Sequence, residues 1–436
     1  VDRPANQALT APITGPRSGR LRIALLSYRS RPHCGGQGVY VRHLSRELAA
    51  LGHHVEVLSG QPYPELDPGV ALRRLPSLDL YREYPFRAPP PRQWRDAVDA
   101  LEVVTMWSAG FPEPLTFSLR AARELRARRD RFDVVHDNQS LGYGLLGIGA
   151  AGLPVMATIH HPITIDRRIE IEQAPSWGRR SALRRWYGFV RMQARVARRL
   201  EPIVTVSTSA AADIAREFGV SPSRIRVVPL GVDTAVFNPS DRPRIPGRIV
   251  AVASADSPLK GVATLLRAVA KVATERSVSL TVVGQARPRP PTRRLVRDLS
   301  IRDRVRFVGG IADHELTDLL ASAQVAVVPS LYEGFSLPAV EAMACATPLV
   351  ATRAGALPEV VGTDGSCADL VTPGDVEELV SALGRLLDHP ERRAAMGRAG
   401  WRRVQERFTW RAAAEATVRC YREAIARNRR SPGADR

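Results

Sequence analysis

Pro329-Ser330-Leu331-Tyr332-Glu333-Gly334-Phe335-Ser336-Leu337-Pro338-Ala339-Val340-Glu341-Ala342-Met343 sets two carboxylates eight positions apart. Just before it, Val325-Ala326-Val327-Val328 is a short apolar run rich in β-branched residues, which reads as a buried strand. Leu337, Val340 and Ala344 then repeat at helical spacing, so a helix starts near Ser336, with Pro338 accommodated in its first turn. The loop between, carrying Gly334 and Ser336, leads into a helix N-terminus, where unpaired amides and the positive dipole end make a seat for phosphate. Glu333 in the loop and Glu341 in the helix stand beside that seat. Carboxylates accept hydrogen bonds from hydroxyl pairs, so the layout suits a ligand with both phosphate and many hydroxyls.

The same alternation extends in both directions. Arg22–Ser27 reads as a buried strand, Gly35-Gly36-Gln37-Gly38 as a turn, and Val41, Leu44, Leu48 and Leu51 as one face of a helix stopped by Gly52. Strands follow at His54–Ser59, Asp133–His136, Val155–His160, Ile203–Val206 and Ile225–Pro229. A second series begins at Ile249–Ala253 and continues through Leu280–Val283, Val305–Val308, Val325–Val328 and Leu349–Ala351. Strand–helix alternation of this kind builds doubly wound parallel sheets. The expected organisation is a disordered leader over 1–20, an α/β domain over 21–238, a polar, proline-rich linker over 239–247, a second α/β domain over 248–409 and a terminal helical segment over 410–436. Two such domains take ligands in a central cleft at the carboxyl ends of their strands. The stretch Tyr81–Phe117, rich in proline and aromatics, fits neither series.

With 436 residues, 44% hydrophobic and 25% charged, the chain has the make-up of a soluble globular protein of two or three domains. The net charge of +19 favours anionic partners. Only Lys260 and Lys271 are lysines, and this arginine- and alanine-rich text reads as the product of a GC-rich genome. Cys34, Cys345, Cys367 and Cys420 are too scattered for a zinc site or a disulfide scaffold. The uncharged stretch Leu141–Ile159 is interrupted by Gly142, Gly144, Gly147, Gly149, Gly152 and Pro154, so it reads as a helix and a strand, not a membrane span. Arg179 to Arg199 reads as a basic amphipathic helix, a solvated arginine face or a surface for anionic lipid. No apolar run of the signal-peptide kind stands in the first twenty residues, and the expected location is cytoplasmic, with peripheral attachment to the inner membrane face as an extension.

The block EGFSLPAVEAMACATPLVAT (333–352) resembles the Glu-seven-residues-Glu motif of retaining glycosyltransferases of family 4, which have the GT-B fold. Asp256-Ser257-Pro258-Leu259-Lys260-Gly261 resembles the family's lysine motif, and Gly35-Gly36-Gln37-Gly38 its first glycine-rich loop. Ile225–Asp233, Gly309-Gly310-Ile311 and Ala354–Glu359 match other family segments, so the resemblance runs over roughly 20–410. It implies two Rossmann-like domains facing a central cleft, with the last helix crossing back to the first domain. It also implies transfer of a sugar from a UDP- or GDP-linked donor to a hydroxyl- or amine-bearing small molecule, glycolipid or carrier-bound acceptor, with retention and without metal or other cofactor. Lys260 would pair with the departing diphosphate. Gly35, Gly36 and Gly38 would approach the diphosphate and sugar, and Gly334, Phe335, Ser336 and Leu337 would offer helix N-terminal amides. Ile311 would lie at the nucleobase, Glu341 at the ribose hydroxyls and Glu333 at the sugar hydroxyls.

His136 and His160, at two strand ends, resemble positions where family members place a histidine near the acceptor and anomeric carbon, with His161 beside them. They are the implied catalytic residues together with Lys260 and Glu333. Two departures stand out: Ala255 where many members carry an arginine, for which Arg287 or Arg353 would substitute, and Asn138 where many carry a second histidine. The alternatives are a sugar-nucleotide 2-epimerase on the same fold and a non-catalytic basic nucleic-acid-binding protein. The paired glutamates argue against the first. The lack of an aromatic-interleaved basic platform argues against the second.

Overall fold

The computed structural model describes residues 19–30, 36–80, 88–172 and 174–430. Most of the expected leader, Gly35, Cys34 and the segment 81–87 lie outside these. The chain divides into two compact units, 1–228 with 414–436, and 229–413.

The first unit is built on seven parallel strands: β1 Arg22–Ser27, β2 His54–Ser59, β3 Ala71–Arg74, β4 Val134–Asn138, β5 Val155–Ile159, β6 Ile203–Thr205 and β7 Ile225–Val227. Their order across the sheet is β3-β2-β1-β4-β5-β6-β7. The central strands β1, β4 and β5 are buried on both faces, which is why they read as continuous apolar runs. Edge strand β3, Ala-Leu-Arg-Arg, is largely solvated and carries no such run. The stretch after residue 87 resolves into a helix Ala97–Trp107, capped by the Asp96 carboxylate, which accepts from the amides of Val98 and Asp99, and a helix Glu113–Ala127. The basic stretch is not one helix. It breaks into Trp177–Trp186 and Phe189–Ala197 at Tyr187-Gly188. Leu183, Val190 and Val196 pack inward while the eight arginines from Arg179 to Arg199 are exposed, a packed pair of helices with a solvated face. No helix among the described residues is long and apolar enough to cross a membrane.

The second unit repeats the plan with six parallel strands: β8 Ile245–Val252, β9 Ser279–Val283, β10 Val305–Val308, β11 Ala323–Val328, β12 Leu349–Thr352 and β13 Asp369–Val371, ordered β10-β9-β8-β11-β12-β13. The polar stretch expected as a linker over 239–247 is partly structural. β8 begins at Ile245, and the Arg244 guanidinium just before it reaches two helix ends of the same unit. It donates to the carbonyls of Ala321 (2.9 Å), Ala323 (2.7 Å) and Ala346 (2.7 Å), tying the end of one helix to the end of another. Burial lowers the pKa of Arg244, whose guanidinium is met by carbonyl oxygens and the Thr347 hydroxyl. The C-terminal helix Trp410–Arg430 starts in the second unit and groups with the first from Ala414 onward. There Tyr421 is fully buried, and Glu423 forms a two-point ion pair with Arg226 of β7.

In both sheets the strand order reverses at one place, between β1 and β4 in the first and between β8 and β11 in the second. Helices diverge to opposite faces there and leave a crevice at the carboxyl ends of the strands, where open α/β sheets hold ligands.

Arg244→Met keeps the length of the side chain and removes its donors. With several buried carbonyls left unpaired, unfolding in urea is expected to cost about 2–4 kcal/mol less. A loss under about 0.5 kcal/mol would mean that those carbonyls find other donors.

Candidate functional site

The two reversal points carry the residues singled out above. In the second unit, the chain leaving β8 runs through Ala253–Lys260, and the chain leaving β11 through Pro329–Ser336. The two loops touch closely. Gly261 has φ +62°, and a Cβ there would lie 1.9 Å from the Pro329 carbonyl oxygen, so only glycine lets them meet. The Leu331 amide donates to the Leu259 carbonyl at 2.7 Å. This contact brings Lys260 to Glu333: Nζ donates to Oε1 at 2.8 Å, and Ser330 Oγ donates to the same oxygen at 2.7 Å. Behind them the Ala356 amide donates to the Glu333 carbonyl, and Gly355 (φ +54°) leaves room for that carbonyl where a side chain would not. Glu333 is 7% exposed and held from every side, while the Lys260 side chain keeps a third of its surface.

The helix after this loop, Leu337–Ala344, begins at Ser336, which sits at φ +93° and ψ 80°. A non-glycine residue is rare there, and such strain clusters at ligand sites. The Ser336 hydroxyl is buried and has no hydrogen-bond partner among the described residues. Pro338 has no amide hydrogen and the Val340 amide donates to the Ser336 carbonyl, so the hydroxyl and the amides of Leu337 and Ala339, which have no intrahelical acceptor, are the donors left at this helix end. Phe335 turns inward and packs edge-on against Phe408 at 5.6 Å, which fixes the loop.

Glu341, one and a half turns along, is half-buried and makes no hydrogen bond or ion pair among the described residues. Burial pushes its carboxyl up to about 7, and the negative charge of Asp313 adds to the rise. Asp313 opens the helix that follows Gly309-Gly310-Ile311, so Glu341 looks toward the loop that carries Ile311. A carboxylate in this position, partly dry and unmatched, calls for hydrogen-bond donors from outside the protein.

Arg353 and Arg287 are the two candidates for the cation in place of the arginine missing at Ala255. Arg353 leans on Glu378 at 3.8 Å. Arg287 lies in a loop tied to the lysine motif, since the Arg289 amide and Thr292 Oγ1 donate to Asp256.

In the first unit, Gly36 and Gly38 open the helix Gly36–Ala50 that follows β1, and β4 ends at Asn138. His136 is fully buried, and both ring nitrogens are engaged: Nδ1 with Tyr421 Oη at 2.8 Å, Nε2 with Thr158 Oγ1 at 2.7 Å. Both of its nitrogens are therefore engaged within the protein. It is a structural histidine that fastens the C-terminal helix to β4 and β5, and burial drops its pKa to about 3, so it stays neutral. His160, at the end of β5, is partly exposed; its Nε2 meets Asn138 Oδ1 at 2.8 Å. His161 Nε2 bonds Asp166 at 3.2 Å. Residues that the sequence motifs did not single out are Ser330 and Gln139. Ser330 shares Glu333 with Lys260, and the Gln139 side chain accepts from the His160 amide at 2.7 Å and donates to the His161 carbonyl at 2.9 Å. A Ser three residues before Glu333 was visible as spacing; the glutamine carried no sequence signal.

Comparison with known proteins places this geometry. Residues 34–236 match the model of Glycosyltransferase Family 4, and residues 246–389 that of Glycosyl transferases group 1. The chain is 60% identical over 409 residues to the MMP alpha-(1->4)-mannosyltransferase of Mycolicibacterium hassiacum, covering 93% of this chain and 99% of that protein. It is 30% identical to the D-inositol 3-phosphate glycosyltransferase of Acidothermus cellulolyticus, covering 94% and 91%. Among solved structures it resembles sucrose-phosphate synthase from Thermosynechococcus elongatus, with a TM-score of 0.69 at 26% identity, covering 94% of this chain and 100% of that one. Anabaena HepE, solved with UDP-glucose, shares the fold at 17% identity and a TM-score of 0.66, covering 94% and 100%.

The raised carboxyl of Glu341 has a consequence for stability. The folded chain keeps a proton that the unfolded chain releases above its ordinary value of 4.5, so this group's contribution is full below that value and is lost as pH rises to about 7. Glu341→Gln removes the titration. Its stability relative to the parent is expected to rise by about 1–2 kcal/mol between pH 5 and pH 8 in paired urea melts. A difference that does not change with pH would show that the carboxylate is not desolvated.

Proposed function

Because the chain belongs to glycosyltransferase family 4 and is a glycosyltransferase with the two Rossmann-like units of the GT-B fold, we propose that it transfers a mannosyl residue from a nucleoside-diphosphate donor to a saccharide hydroxyl, forming an α-(1→4) bond with retention. The observation that carries the reading is the set of unmet groups on one loop and helix: the buried Ser336 hydroxyl, the first amides of Leu337–Ala344 and the unpartnered Glu341 carboxylate. A nucleoside diphosphate complements all three. Its phosphates take the amides and hydroxyl, and its ribose hydroxyls donate to Glu341. The identity to a mannosyltransferase over nearly the whole chain supports mannose and the α-(1→4) linkage.

Breaking the glycosidic bond develops positive charge at the anomeric carbon and negative charge on the leaving diphosphate. Lys260 and the helix-terminal amides stabilise that negative charge from fixed positions, an electrostatic role that supplies several kcal/mol in enclosed sites. Lys260 is held in place beforehand by Glu333. On donor binding Lys260 turns its charge to the diphosphate, while Glu333, still fixed by Ser330, accepts from sugar hydroxyls. With the leaving-group charge met by lysine and amides, the reaction needs no divalent cation. The leaving phosphate itself takes the acceptor proton on the same face, so no protein nucleophile is assigned. The first unit, through the ends of β4 and β5, receives a sugar hydroxyl.

Incubation with a panel of UDP- and GDP-sugars and a mannose-containing oligosaccharide, followed by linkage analysis, is expected to give an α-(1→4)-mannosylated product. Exclusive transfer of another sugar would contradict the donor assignment, and donor converted without an acceptor would favour an epimerase. Lys260→Ala is expected to lower kcat about a hundredfold or more. A change of only a few-fold would move the role to Arg287 or Arg353. Activity is expected to survive EDTA; loss restored by magnesium or manganese would overturn the metal-free mechanism.

A further inference from the structure

We propose that Asn138 is a positioning residue that fixes His160 as the Nε2–H tautomer, leaving its Nδ1 lone pair to accept a hydrogen bond from a substrate hydroxyl. This rests on the reading of the first unit as a sugar-binding partner in glycosyl transfer.

The orientation of the Asn138 amide decides the tautomer. Its Nδ2 faces the Gln37 carbonyl at 3.5 Å, and a carbonyl only accepts, so the amide nitrogen belongs on that side and Oδ1 on the other. Oδ1 faces His160 Nε2 at 2.8 Å and only accepts, so that ring nitrogen carries the hydrogen. In a neutral imidazole the other nitrogen is then an acceptor. Nδ1 has no partner among the described residues, and the residue as a whole is partly exposed.

The turn after β4 is organised around this contact. Gln139 (φ 58°) and Leu141 (φ 49°) both adopt the left-handed conformation, a costly arrangement for side chains larger than glycine. Gln193, on the helix Phe189–Ala197, donates to the carbonyls of Gln139 and Ser140 and holds the turn. Asp137 bonds the Ser140 hydroxyl and the Leu141 amide and so faces the turn, not the ring. Tyr40 lies edge-on to His160 with centroids 4.8 Å apart and blocks rotation of the ring. With the Gln139 amide clamped on the His160 and His161 backbone, little freedom is left to the imidazole.

The titratable groups around the ring are His136 and Asp137 on β4, His161 with its partner Asp166, and Tyr40 on the helix after β1. Asp137 and Asp166 are already bonded to their own partners. Burial and the neighbouring His161 drop His160 to about 3, so the ring stays neutral through the physiological range. A ring of that kind accepts a hydroxyl proton in a hydrogen bond but is too weak a base to remove it, so His160 binds and orients.

The test reads the tautomer directly. In full-length protein carrying ¹⁵N-histidine, with the His160 signals assigned by their loss in His160→Gln, the expected spectrum from pH 5 to pH 8 shows protonated Nε2, unprotonated Nδ1 and no titration. A protonated Nδ1 overturns the proposal. This measurement needs no substrate, so it is separable from any failure to transfer mannose. Asn138→Asp is isosteric and puts a carboxylate on Nε2. It is expected to draw a second proton onto the ring between pH 5 and pH 8 and to add an acid-side loss to the kcat/KM profile that the parent lacks. Asn138→Ser is expected to mix the tautomers and raise KM for one sugar substrate about tenfold, with kcat changed less. A purely structural Asn138 would lower stability in both variants and leave the tautomer and the pH profile as in the parent, and that result also overturns the proposal.

Discussion

The close approach of two loops at the centre of the second sheet governs the site. Gly261 lets the chain leaving β8 press against the Pro329 carbonyl of the chain leaving β11, and this contact, with the Leu331 amide on the Leu259 carbonyl, sets Lys260 beside Glu333. Ser330 and the Gly355-Ala356 turn then fix Glu333 from two more directions. An ion pair at 33% and 9% side-chain exposure contributes little net stability once desolvation is counted. Its value is positional: a cation stands within reach of a helix N-terminus whose own donors, the Ser336 hydroxyl among them, are unmet.

The two units use the same topological device for different chemistry. At the reversal in the second sheet the side chains are charged or donor-rich and suited to phosphate. At the reversal in the first the two histidines, His160 and His136, are held uncharged, with Asn138, Gln139 and Thr158 making the contacts and Asp137 turned to Ser140 and Leu141. A neutral, hydrogen-bonding surface suits hydroxyls, and this division follows from which strand ends carry lysine and glutamate and which carry histidine and amides.

Much of this was legible in the chain. Doubly buried strands such as β1, β4, β5 and β11 announce themselves as unbroken apolar runs, and the helix after Ser336 by its 3.6-residue repeat. The edge strands β3 and β13 were not visible, because Ala71–Arg74 is largely solvated and Asp369–Val371, though buried, is only three residues long and begins with an acid. Arg244 looked like linker because an arginine bonded to carbonyls has the same letter as a solvated one. The basic stretch looked continuous because Gly188 is a single residue in a regular apolar repeat. Motif position brought Lys260, Glu333 and Glu341 into one unit, but it could not separate His136 from His160. The apolar run of β4 reads as ending at His136, but the strand continues to Asn138, so His136 lies mid-strand while His160 follows β5, and the partners Tyr421, from a helix 285 residues away, and Asn138 distinguish a fastened ring from an available one.

The central claim is that Lys260 is held by Glu333 for transfer to the diphosphate. A crystal structure of the full chain with an intact nucleoside-diphosphate mannose analogue tests it most directly. The account predicts Lys260 Nζ on a diphosphate oxygen and off Glu333 Oε1, Ser336 Oγ and the Leu337 amide on phosphate, Glu333 on a sugar hydroxyl and Glu341 on the ribose. A donor bound with the Lys260–Glu333 pair intact and the diphosphate elsewhere would contradict it.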